Sequence, residues 1–391
     1  MENIISGRSM SKPVVIIYRN FLLPPSETFI RAQVSSMENF DGYYVGSRRV
    51  EGLSLPRGQI ITVREAKIST RFSELVYRFS GFSPSLYQRI QVLAPKLIHA
   101  HFGPDAIKAI PISKKLGLPL IVTFHGYDAT VKPSHAVRAS YSQMLYILRK
   151  RKLKTEAVQF LTTSDFIKGL LLEQGFPSGK IATHYIGIDP TMFTMRESIP
   201  REIIVLFVGR LVEMKGCKFL VSAMSRVQSR CPNAKLVVIG DGPLRKSLEK
   251  FAAQKLSNFN FLGFSSPSVV KEWMNRSMVF CVPSITATSG HAEGFGIVFA
   301  EAQSMGLPVV SFDSGGISEV VAHGETGFLA PEKDERALAE YILQILENPS
   351  LWQKFSQCGM NRVRLKFDLN LQTRKLEKIY SQVIARHKSN P

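Results

Sequence analysis

The sequence has 391 residues, of which 45% are hydrophobic and 21% charged, a composition typical of a globular protein with room for two domains. Its cysteines, Cys217, Cys231, Cys281 and Cys358, form no CxxC pair, which argues against a zinc site and a disulfide framework and favours a reducing compartment. It contains no apolar run of 18 residues, and residues 1–11 lack the apolar segment of a signal peptide, so we expect neither a membrane span nor secretion by that route.

The net charge is +19, and residues 1–190 hold 25 lysines and arginines against 13 acidic residues. Such an excess favours polyanionic partners: nucleic acid, anionic lipid headgroups or a phosphorylated substrate. Its densest cluster, Arg149–Lys152 with Lys154, follows the apolar segment Met144–Leu148 in a helix predicted from about Ser134. This pairing favours a membrane surface, with a solvated helix face as the alternative. Aromatic-interleaved basic motifs of RNA-binding proteins are missing, so no nucleic acid is expected.

Short segments rich in Val and Ile alternate with helical patterns, which predicts parallel sheets covered by helices. In the first half the predicted strands are Val14–Tyr18, Gly42–Val45, Leu97–Ala100, Leu120–Thr123 and Gln159–Thr162. In the second half they are Ile203–Val208, Ala234–Ile239, Phe259–Leu262, Met278–Val282, Pro308–Phe312 and Gly327–Leu329. The Gly- and Pro-marked segment Ile186–Pro200 is the predicted linker. Because open parallel sheets bind ligands beyond the carboxyl ends of their strands, we expect a site between two facing sheets.

Three segments of the first half carry polar residues next to strand ends or turns. Pro24–Ile30 predicts a turn and a helix with Ser26 as its cap, and places Glu27 and Thr28 near the expected cleft. His99–Asp105 follows a strand, and we assign His99 and His101 to opposite faces, which makes them poor joint metal ligands. Thr123–Asp128 follows another strand, where His125 could bind a sugar hydroxyl, manage a proton or have a structural role.

Three glycine turns follow strands of the second half. Gly209–Gly216 carries Arg210 and Lys215, which could neutralise a diphosphate, although a surface turn would look the same. Its residue order rules out the P-loop GxxxxGK[ST]. The turns Gly240–Pro243 and Asp313–Glu319 also direct glycine backbone at strand ends, and several such turns in one domain favour a cleft for a phosphate and a sugar.

The segment His291–Ala302 is a fourth glycine turn that leads into a helix predicted over Ile297–Met305, with Glu293 and Glu301 on either side of the junction. A helix start offers unpaired N–H groups and positive potential to a diphosphate. Ionised carboxylates accept hydrogen bonds from neighbouring hydroxyl groups, so the two glutamates would hold a sugar and a ribose. The alternative is that each is an ordinary solvated charge.

Taken together, these motifs resemble the retaining family 4 glycosyltransferases of the GT-B fold, from about Val14 to Val383. The resemblance rests on Phe207–Leu211 with Lys215-Gly216, Gly240–Pro243, the EX7E pair Glu293 and Glu301, Pro308–Val310 with Gly315-Gly316, and Gly324–Gly327. Within that family, Ser26–Phe29, His99–Gly103 and Thr123–Asp128 look like the colanic-acid and exopolysaccharide branch. The segment Phe21–Ser26 departs from the glycine-rich loop that many members have after the first strand.

The resemblance implies two Rossmann-like doubly wound parallel-sheet domains that face a central cleft. Its expected parts are an acceptor-binding domain (1–190), a donor-binding domain (191–370) and a C-terminal helix (371–391) that crosses back to the first domain. Arg210 and Lys215 would hold the diphosphate, Glu301 the ribose, and Glu293 with neighbouring amides the sugar. The implied donor-binding residues are Gly209, Arg210, Lys215, Gly240, Gly242, Glu293, Gly294, Phe295, Gly296, Ile297 and Glu301. The implied catalytic residues are His125, Glu293, Arg210 and Lys215, and the acceptor candidates are Ser26, Glu27, Thr28, His101 and Asp128.

The resulting prediction is a retaining hexosyltransferase of polysaccharide assembly that needs no metal and no cofactor beyond its nucleotide-sugar substrate. Its expected partners are a UDP-, GDP- or ADP-sugar, a saccharide acceptor with polyprenyl diphosphate as the candidate carrier, and an anionic membrane surface. The expected location is the cytoplasm, peripheral at the inner face of the plasma membrane. Two alternatives stay open: a soluble acceptor, as in sucrose or glucan synthesis, and a non-catalytic sugar-nucleotide binder.

Overall fold

The computed structural model describes residues 12–63, 73–77, 81–196 and 198–389, so the expectation for residues 1–11 lies outside the described residues. The described chain divides into two compact units. The first unit holds the described residues up to Thr123, Leu148–Phe160 and those from Thr373 onward, and the second holds Phe124–Ile147 and Leu161–Gln372. The domain boundaries expected at residues 190 and 370 stay predictions.

The first large sheet has seven strands in the order β5-β3-β1-β6-β7-β8-β9. Its strands are β1 (Val14–Tyr18), β3 (Asp41–Gly46), β5 (Ile60–Thr62), β6 (Leu97–His101), β7 (Leu120–Phe124), β8 (Gln159–Thr162) and β9 (Ile181–Thr183). β1 runs parallel to both β3 and β6, and β7 runs parallel to β6. A small sheet pairs β2 (Phe21–Leu22) with β4 (Arg48–Arg49).

The second large sheet has six strands in the order β12-β11-β10-β13-β14-β15. They are β10 (Glu202–Val208), β11 (Lys235–Ile239), β12 (Phe259–Gly263), β13 (Ser277–Cys281), β14 (Val309–Phe312) and β15 (Gly327–Ala330). Each pair of neighbours is parallel, so the turns after β10, β11, β13 and β14 meet at one edge of the sheet. The predicted fold class, two Rossmann-like domains with parallel sheets, is confirmed.

Helices connect the strands. They are α1 (Thr28–Ser35), α2 (Pro84–Val92), α3 (Gly103–Leu116), α4 (Tyr127–Thr130), α5 (Pro133–Ala139), α6 (Tyr141–Glu156), α7 (Asp165–Glu173), α8 (Cys217–Arg230), α9 (Arg245–Lys255), α10 (Pro267–Arg276), α11 (Ile297–Ser304), α12 (Ile317–Val320), α13 (Glu335–Glu347), α14 (Pro349–Arg362) and α15 (Leu369–Ser389). Residues 73–77 are also helical. In the part of the chain that the structure describes, no helix combines the length and apolarity required to cross a bilayer.

The central strands of the second sheet are largely apolar, as expected where both faces of a sheet are covered. Val205, Leu206 and Phe207 of β10 are successive residues on alternating faces, and all three are fully buried. The rings of Phe280 in β13 and Phe299 in α11 meet edge to face with centroids 6.0 Å apart. This packing fixes the strand ends that carry the candidate site.

Two local predictions are wrong. Ser26 does not cap α1, because the helix begins one residue later than a Ser26 cap requires: Glu27 occupies the cap position and makes no side-chain capping bond. The helix expected from Ser134 is two helices, because Ser140 adopts an extended conformation between α5 and α6.

The last helix, α15, packs in the first unit from Thr373 onward. The backbone and side-chain amides of Asn39 donate to the Glu377 carboxylate over 2.6 and 2.9 Å. Tyr380 places its hydroxyl 2.6 Å from Nδ1 of His99 and its ring edge to face with Phe40. Residues near both ends of the described chain therefore share one core.

Candidate active site

The turns at the carboxyl edge of the second sheet support one another through their backbones. Leu211 N donates to Asp241 O over 2.8 Å, and a Cβ at Gly240 would overlap the carbonyl oxygen of Gly209. A Cβ at Gly242 would likewise overlap the carbonyl oxygen of Leu211, though less severely. The structure therefore places Gly240 and Gly242 directly against the turn that carries Arg210, where any larger residue would displace it.

Lys215 and Glu293, which are 78 positions apart, form an ion pair between Nζ and Oε2. Their side chains are only 14% and 12% exposed, and Ser284 Oγ donates to the same carboxylate oxygen over 3.3 Å. Arg210, by contrast, is exposed and forms no ion pair with any described residue. Two cations thus lie on this turn, one paired and one open.

Backbone segments enclose Glu293 and Gly294. Gly316 N donates to Glu293 O over 2.9 Å, and a Cβ at Gly315 or Gly316 would overlap the carbonyl oxygen of Glu293 or Gly294. On another side, a Cβ at Gly294 would overlap His125 O, and Gly126 lies against the same residue. The loop that carries His125 therefore belongs to the same compact unit as the Glu293 loop and packs directly on it.

Asp128 holds the His125 loop in shape. Its Oδ1 accepts hydrogen bonds from the backbone N–H groups of His125 and Gly126, each over 3.1 Å. The loop is also tied to the Glu293 loop by Lys132 N, which donates to Ser289 O over 2.9 Å. Asp128, which was predicted to contact the acceptor saccharide, is buried, and its two hydrogen bonds hold the backbone of its own loop.

The helix α11 begins immediately after this enclosed segment. Gly296, at φ +78°, turns the chain into the helix, and Phe295 packs its ring against Phe367 with centroids 5.2 Å apart. Within the described residues, the N–H groups of Gly294 through Val298 have no hydrogen-bond acceptor. These five N–H groups at a positive helix end are available to an anion or a sugar oxygen.

Glu301 lies one turn inside α11 and is partly buried. Burial raises the pKa of its carboxyl to about 7, and no cation or hydrogen-bond donor of the described chain pairs with it. A carboxylate that has lost water without gaining a partner is suited to accept hydrogen bonds from a ligand diol.

His291 is a further residue of this loop that the motif assignment leaves out. Burial, with smaller effects from Arg210 and Lys215, lowers the pKa of His291 to about 4, while Glu293 acts in the opposite direction. The imidazole is therefore neutral at pH 7, and it meets the Tyr127 ring edge to face at 5.1 Å. Its position two residues before Glu293 was the available signal.

The acceptor candidates Ser26, Glu27, Thr28 and His101 lie in the first unit, whereas the other predicted site residues lie in the second. Ser26 and Thr28 are exposed. Glu27 is 5% exposed and accepts from Arg19 at two points, Nε to Oε2 over 2.9 Å and Nη2 to Oε1 over 2.6 Å. Burial outweighs this guanidinium and raises the pKa of Glu27.

Arg19 and Asp105 complete this buried cluster and were not predicted. Arg19 Nη1 pairs with Asp105 Oδ2, which also accepts from Asn20 N over 2.7 Å. The guanidinium lies 4.4 Å from the centroid of the Phe102 ring. One cation between two carboxylates fixes the segment after β1 against the segment after β6.

The assignment of His99 and His101 to opposite faces is wrong. Residues two apart on a strand share a face, and the two rings lie 4.4 Å apart. Both ring nitrogens of His99 have partners, Tyr380 OH and Thr123 Oγ1, each at 2.6 Å. Among the described residues, no group of three or more His, Cys, Asp or Glu is arranged to hold a metal ion.

Two protein-family models match adjoining parts of the chain. The family described as glycosyltransferase family 4 matches residues 45–192, and the family described as glycosyl transferases group 1 matches residues 193–362. Together they extend over both halves of the chain.

Several curated relatives are named for the biosynthesis of a polysaccharide. A putative colanic acid biosynthesis glycosyltransferase of Salmonella typhimurium, WcaL, is 33% identical over 63% of this chain and 60% of its own length. The amylovoran biosynthesis glycosyltransferase AmsK of Erwinia amylovora is 29% identical over 73% of this chain and 70% of its own length. The chain thus matches about 60% of the length of its WcaL relatives.

Solved structures share the fold. Anabaena HepE in complex with UDP and glucose superposes with a TM-score of 0.75 at 17% identity, over 95% of this chain and 100% of HepE. Sucrose-phosphate synthase from Thermosynechococcus elongatus gives a TM-score of 0.75 at 18% identity, over 96% of this chain and 100% of that protein. These likenesses confirm the predicted GT-B fold class.

Proposed function

Because the chain belongs to the glycosyltransferases, with a family 4 domain followed by a group 1 domain, we propose that it transfers a hexose from a nucleotide-sugar donor to a saccharide acceptor. The acceptor belongs to exopolysaccharide, capsule or lipopolysaccharide assembly, as the names of the WcaL and AmsK relatives suggest. HepE, with UDP and glucose bound, suggests the class of donor.

One observation carries this proposal: backbone N–H groups at the start of α11 without a partner among the described residues, in the compact unit that also carries the exposed Arg210 and the Glu301 carboxylate. The N–H groups of Gly294 to Val298 would receive oxygens of the phosphate or the sugar. Arg210 and Lys215 would bind the diphosphate, and Glu301 would accept from both ribose hydroxyls. Glu293 would accept from the transferred sugar.

The proposed reaction keeps the configuration at the anomeric carbon. The bond from that carbon to the diphosphate oxygen breaks as the acceptor oxygen bonds to the same face, and the acceptor proton passes to the leaving phosphate oxygen. The protein contributes fixed positive charge where negative charge develops, chiefly from Arg210 and Lys215. With this charge supplied by side chains, the reaction proceeds without a divalent cation, and EDTA should leave the rate unchanged.

The primary test is a thermal-shift screen with UDP-, GDP- and ADP-sugars, followed by transfer of a labelled sugar. The donor that fits raises the melting temperature by mass action. Lys215→Ala and Glu301→Ala should each lower kcat/KM at least about tenfold, the loss expected for about 1.4 kcal/mol of transition-state binding. Lys246→Ala, on the exposed face of α9, serves as the matched control. Unchanged donor turnover in both site variants would contradict the assignment.

We further propose that the acceptor is lipid-linked and that the protein acts at the cytoplasmic face of the plasma membrane. Arg149, Arg151 and Lys152 of α6 are exposed, and Leu148 beside them is 71% exposed. Basic side chains next to an exposed apolar one suit an anionic bilayer, at about 1 kcal/mol for each cation.

Vesicle flotation tests the membrane proposal. Replacing Arg149, Arg151 and Lys152 with Gln should reduce binding to phosphatidylglycerol vesicles about 100-fold, as three such contributions predict. Replacing Lys246, Lys250 and Lys255 of α9 removes the same charge from another exposed surface and should change binding little. Equal effects would show that only net charge matters. Full activity on a delipidated saccharide would favour the soluble-acceptor alternative, to which a glycogen synthase relative at 26% identity also points.

A further inference from the structure

The ion pair between Lys215 and Glu293 joins two residues that the proposed function assigns to different parts of the donor. Lys215 would bind the diphosphate and Glu293 the sugar. In the structure, however, they bind each other, and both side chains are largely buried. A ligand that binds Lys215 therefore competes with Glu293 for its ammonium group.

The backbone of Glu293 is held by close contacts. Its carbonyl oxygen accepts from Gly316 N, and Gly315 packs so closely on the same residue that a Cβ there would overlap that oxygen. Ser284 Oγ holds the same carboxylate oxygen that Lys215 contacts. When Lys215 binds a diphosphate instead, the Glu293 carboxylate keeps Ser284 Oγ as a donor but loses its cation, in a position that is only 12% exposed.

The two ligands of the reaction meet this carboxylate differently. When a nucleotide-sugar binds, its sugar hydroxyls donate hydrogen bonds to Glu293 and its phosphates pair with Lys215. Both residues of the original ion pair therefore gain new partners. A free nucleoside diphosphate binds Lys215 and leaves Glu293 as a largely buried charge without its cation, beside like charges and with Ser284 Oγ still donating to it.

We propose that the Lys215–Glu293 pair makes the site select nucleotide-sugars against the free nucleoside diphosphate, and so favours release of that product after transfer. The proposal rests on the proposed function. It gives Glu293 a second role beyond contact with the sugar, as the competitor that the diphosphate must displace from Lys215.

The test compares dissociation constants of the wild type and of Glu293→Gln by calorimetry. The probes are UDP, GDP and ADP with the corresponding glucose conjugates, of which the best wild-type binder is used. Glu293→Gln should bind the nucleoside diphosphate about fivefold more tightly, or about 1 kcal/mol, because Lys215 is no longer paired. It should bind the nucleotide-sugar more weakly, because charge-assisted hydrogen bonds are lost. Glu213→Gln removes an exposed charge that is bonded to Thr288, and should change neither constant.

A double-mutant cycle separates the pair from general repulsion. In a Lys215→Met background, Glu293→Gln should no longer improve nucleoside diphosphate binding. If the improvement persists there, or if Glu293→Gln alone weakens nucleoside diphosphate binding or leaves it unchanged, the proposal is overturned.

A second measurement covers the case in which Glu293→Gln does not fold. Lys215→Met should weaken nucleoside diphosphate binding less than Arg210→Met does, because wild-type Lys215 is already engaged. An equal or larger effect of Lys215→Met would overturn the selection, whereas failure of the wild type to bind any probe would overturn the proposed function instead.

Discussion

The ionised carboxyl of Glu301 is predicted to destabilise the folded protein. Burial raises the pKa of its carboxyl from 4.5 to about 7, so the unfolded chain ionises this group at a lower pH than the folded chain does. Stability therefore falls as the pH rises from about 4.5 to 7, and the penalty is complete above that range. A pKa shift of this size corresponds to a loss of at most about 3 kcal/mol in the free energy of unfolding. The loss is smaller where water still reaches the side chain.

The perturbation is Glu301→Gln, which keeps the shape of the side chain and removes its charge. Urea denaturation should show the variant more stable than the wild type by up to about 3 kcal/mol at pH 8, and nearly equal to it at pH 4.5. The same variant should bind the donor more weakly at pH 8. Glu213→Gln is the matched control, because hydrogen bonds from Thr288 lower the pKa of Glu213 and its loss should not stabilise the protein. A Glu301→Gln variant that is equally or less stable at pH 8 would refute the reasoning.

Gly294→Ala should destabilise the second unit by about 1–3 kcal/mol, because the added Cβ overlaps His125 O. Gly169→Ala in α7 places its Cβ in open space and should stabilise the protein by about 0.5–1 kcal/mol. Equal melting temperatures for the two variants would contradict this prediction. His291→Gln should resist acid denaturation better than the wild type between pH 6.5 and 4. Folding lowers the pKa of His291 from 6.5 to about 4, so the wild-type protein loses stability as the pH falls through that range. Parallel stability profiles of the two proteins against pH would show that burial does not act on this group. Arg19→Met should cost about 3–5 kcal/mol in urea denaturation, because two buried carboxylates lose their cation; a cost below about 1 kcal/mol would mean that water reaches them.

The positions of most strands were predictable because a buried parallel strand has a local signature. Val14–Tyr18 and Gln159–Thr162 have the predicted bounds, and the other predicted strands differ by one residue at one or both ends. Short edge strands such as β5 and the pair β2–β4 were missed, since two or three residues carry no periodicity. The break at Ser140 was missed for a related reason: neither Gly nor Pro marks it.

The candidate site was predictable as a set of turns but not as a set of contacts. Glycines near Glu293 and Gly316 showed where the backbone must turn, yet the pairing of Lys215 with Glu293 joins residues 78 positions apart. The pairing of Arg19 with Asp105 spans 86 positions. Such pairs depend on tertiary structure, so a sequence motif indicates the chemistry of a residue but not the partner that holds it.

The return of α15 to the first unit has a consequence for the order in which the protein can fold. Asn39 and Glu377 are bonded across 338 positions, and the Tyr380 hydroxyl contacts His99 from the same helix. A ribosome must therefore synthesise the whole second unit before the first one can close its core. The first unit is therefore synthesised first but completed last. Until α15 has been synthesised, the apolar surface that this helix covers stays exposed. A fragment that ends at Phe160 would remain in that incomplete state, so the two units cannot be separated by cutting the chain once.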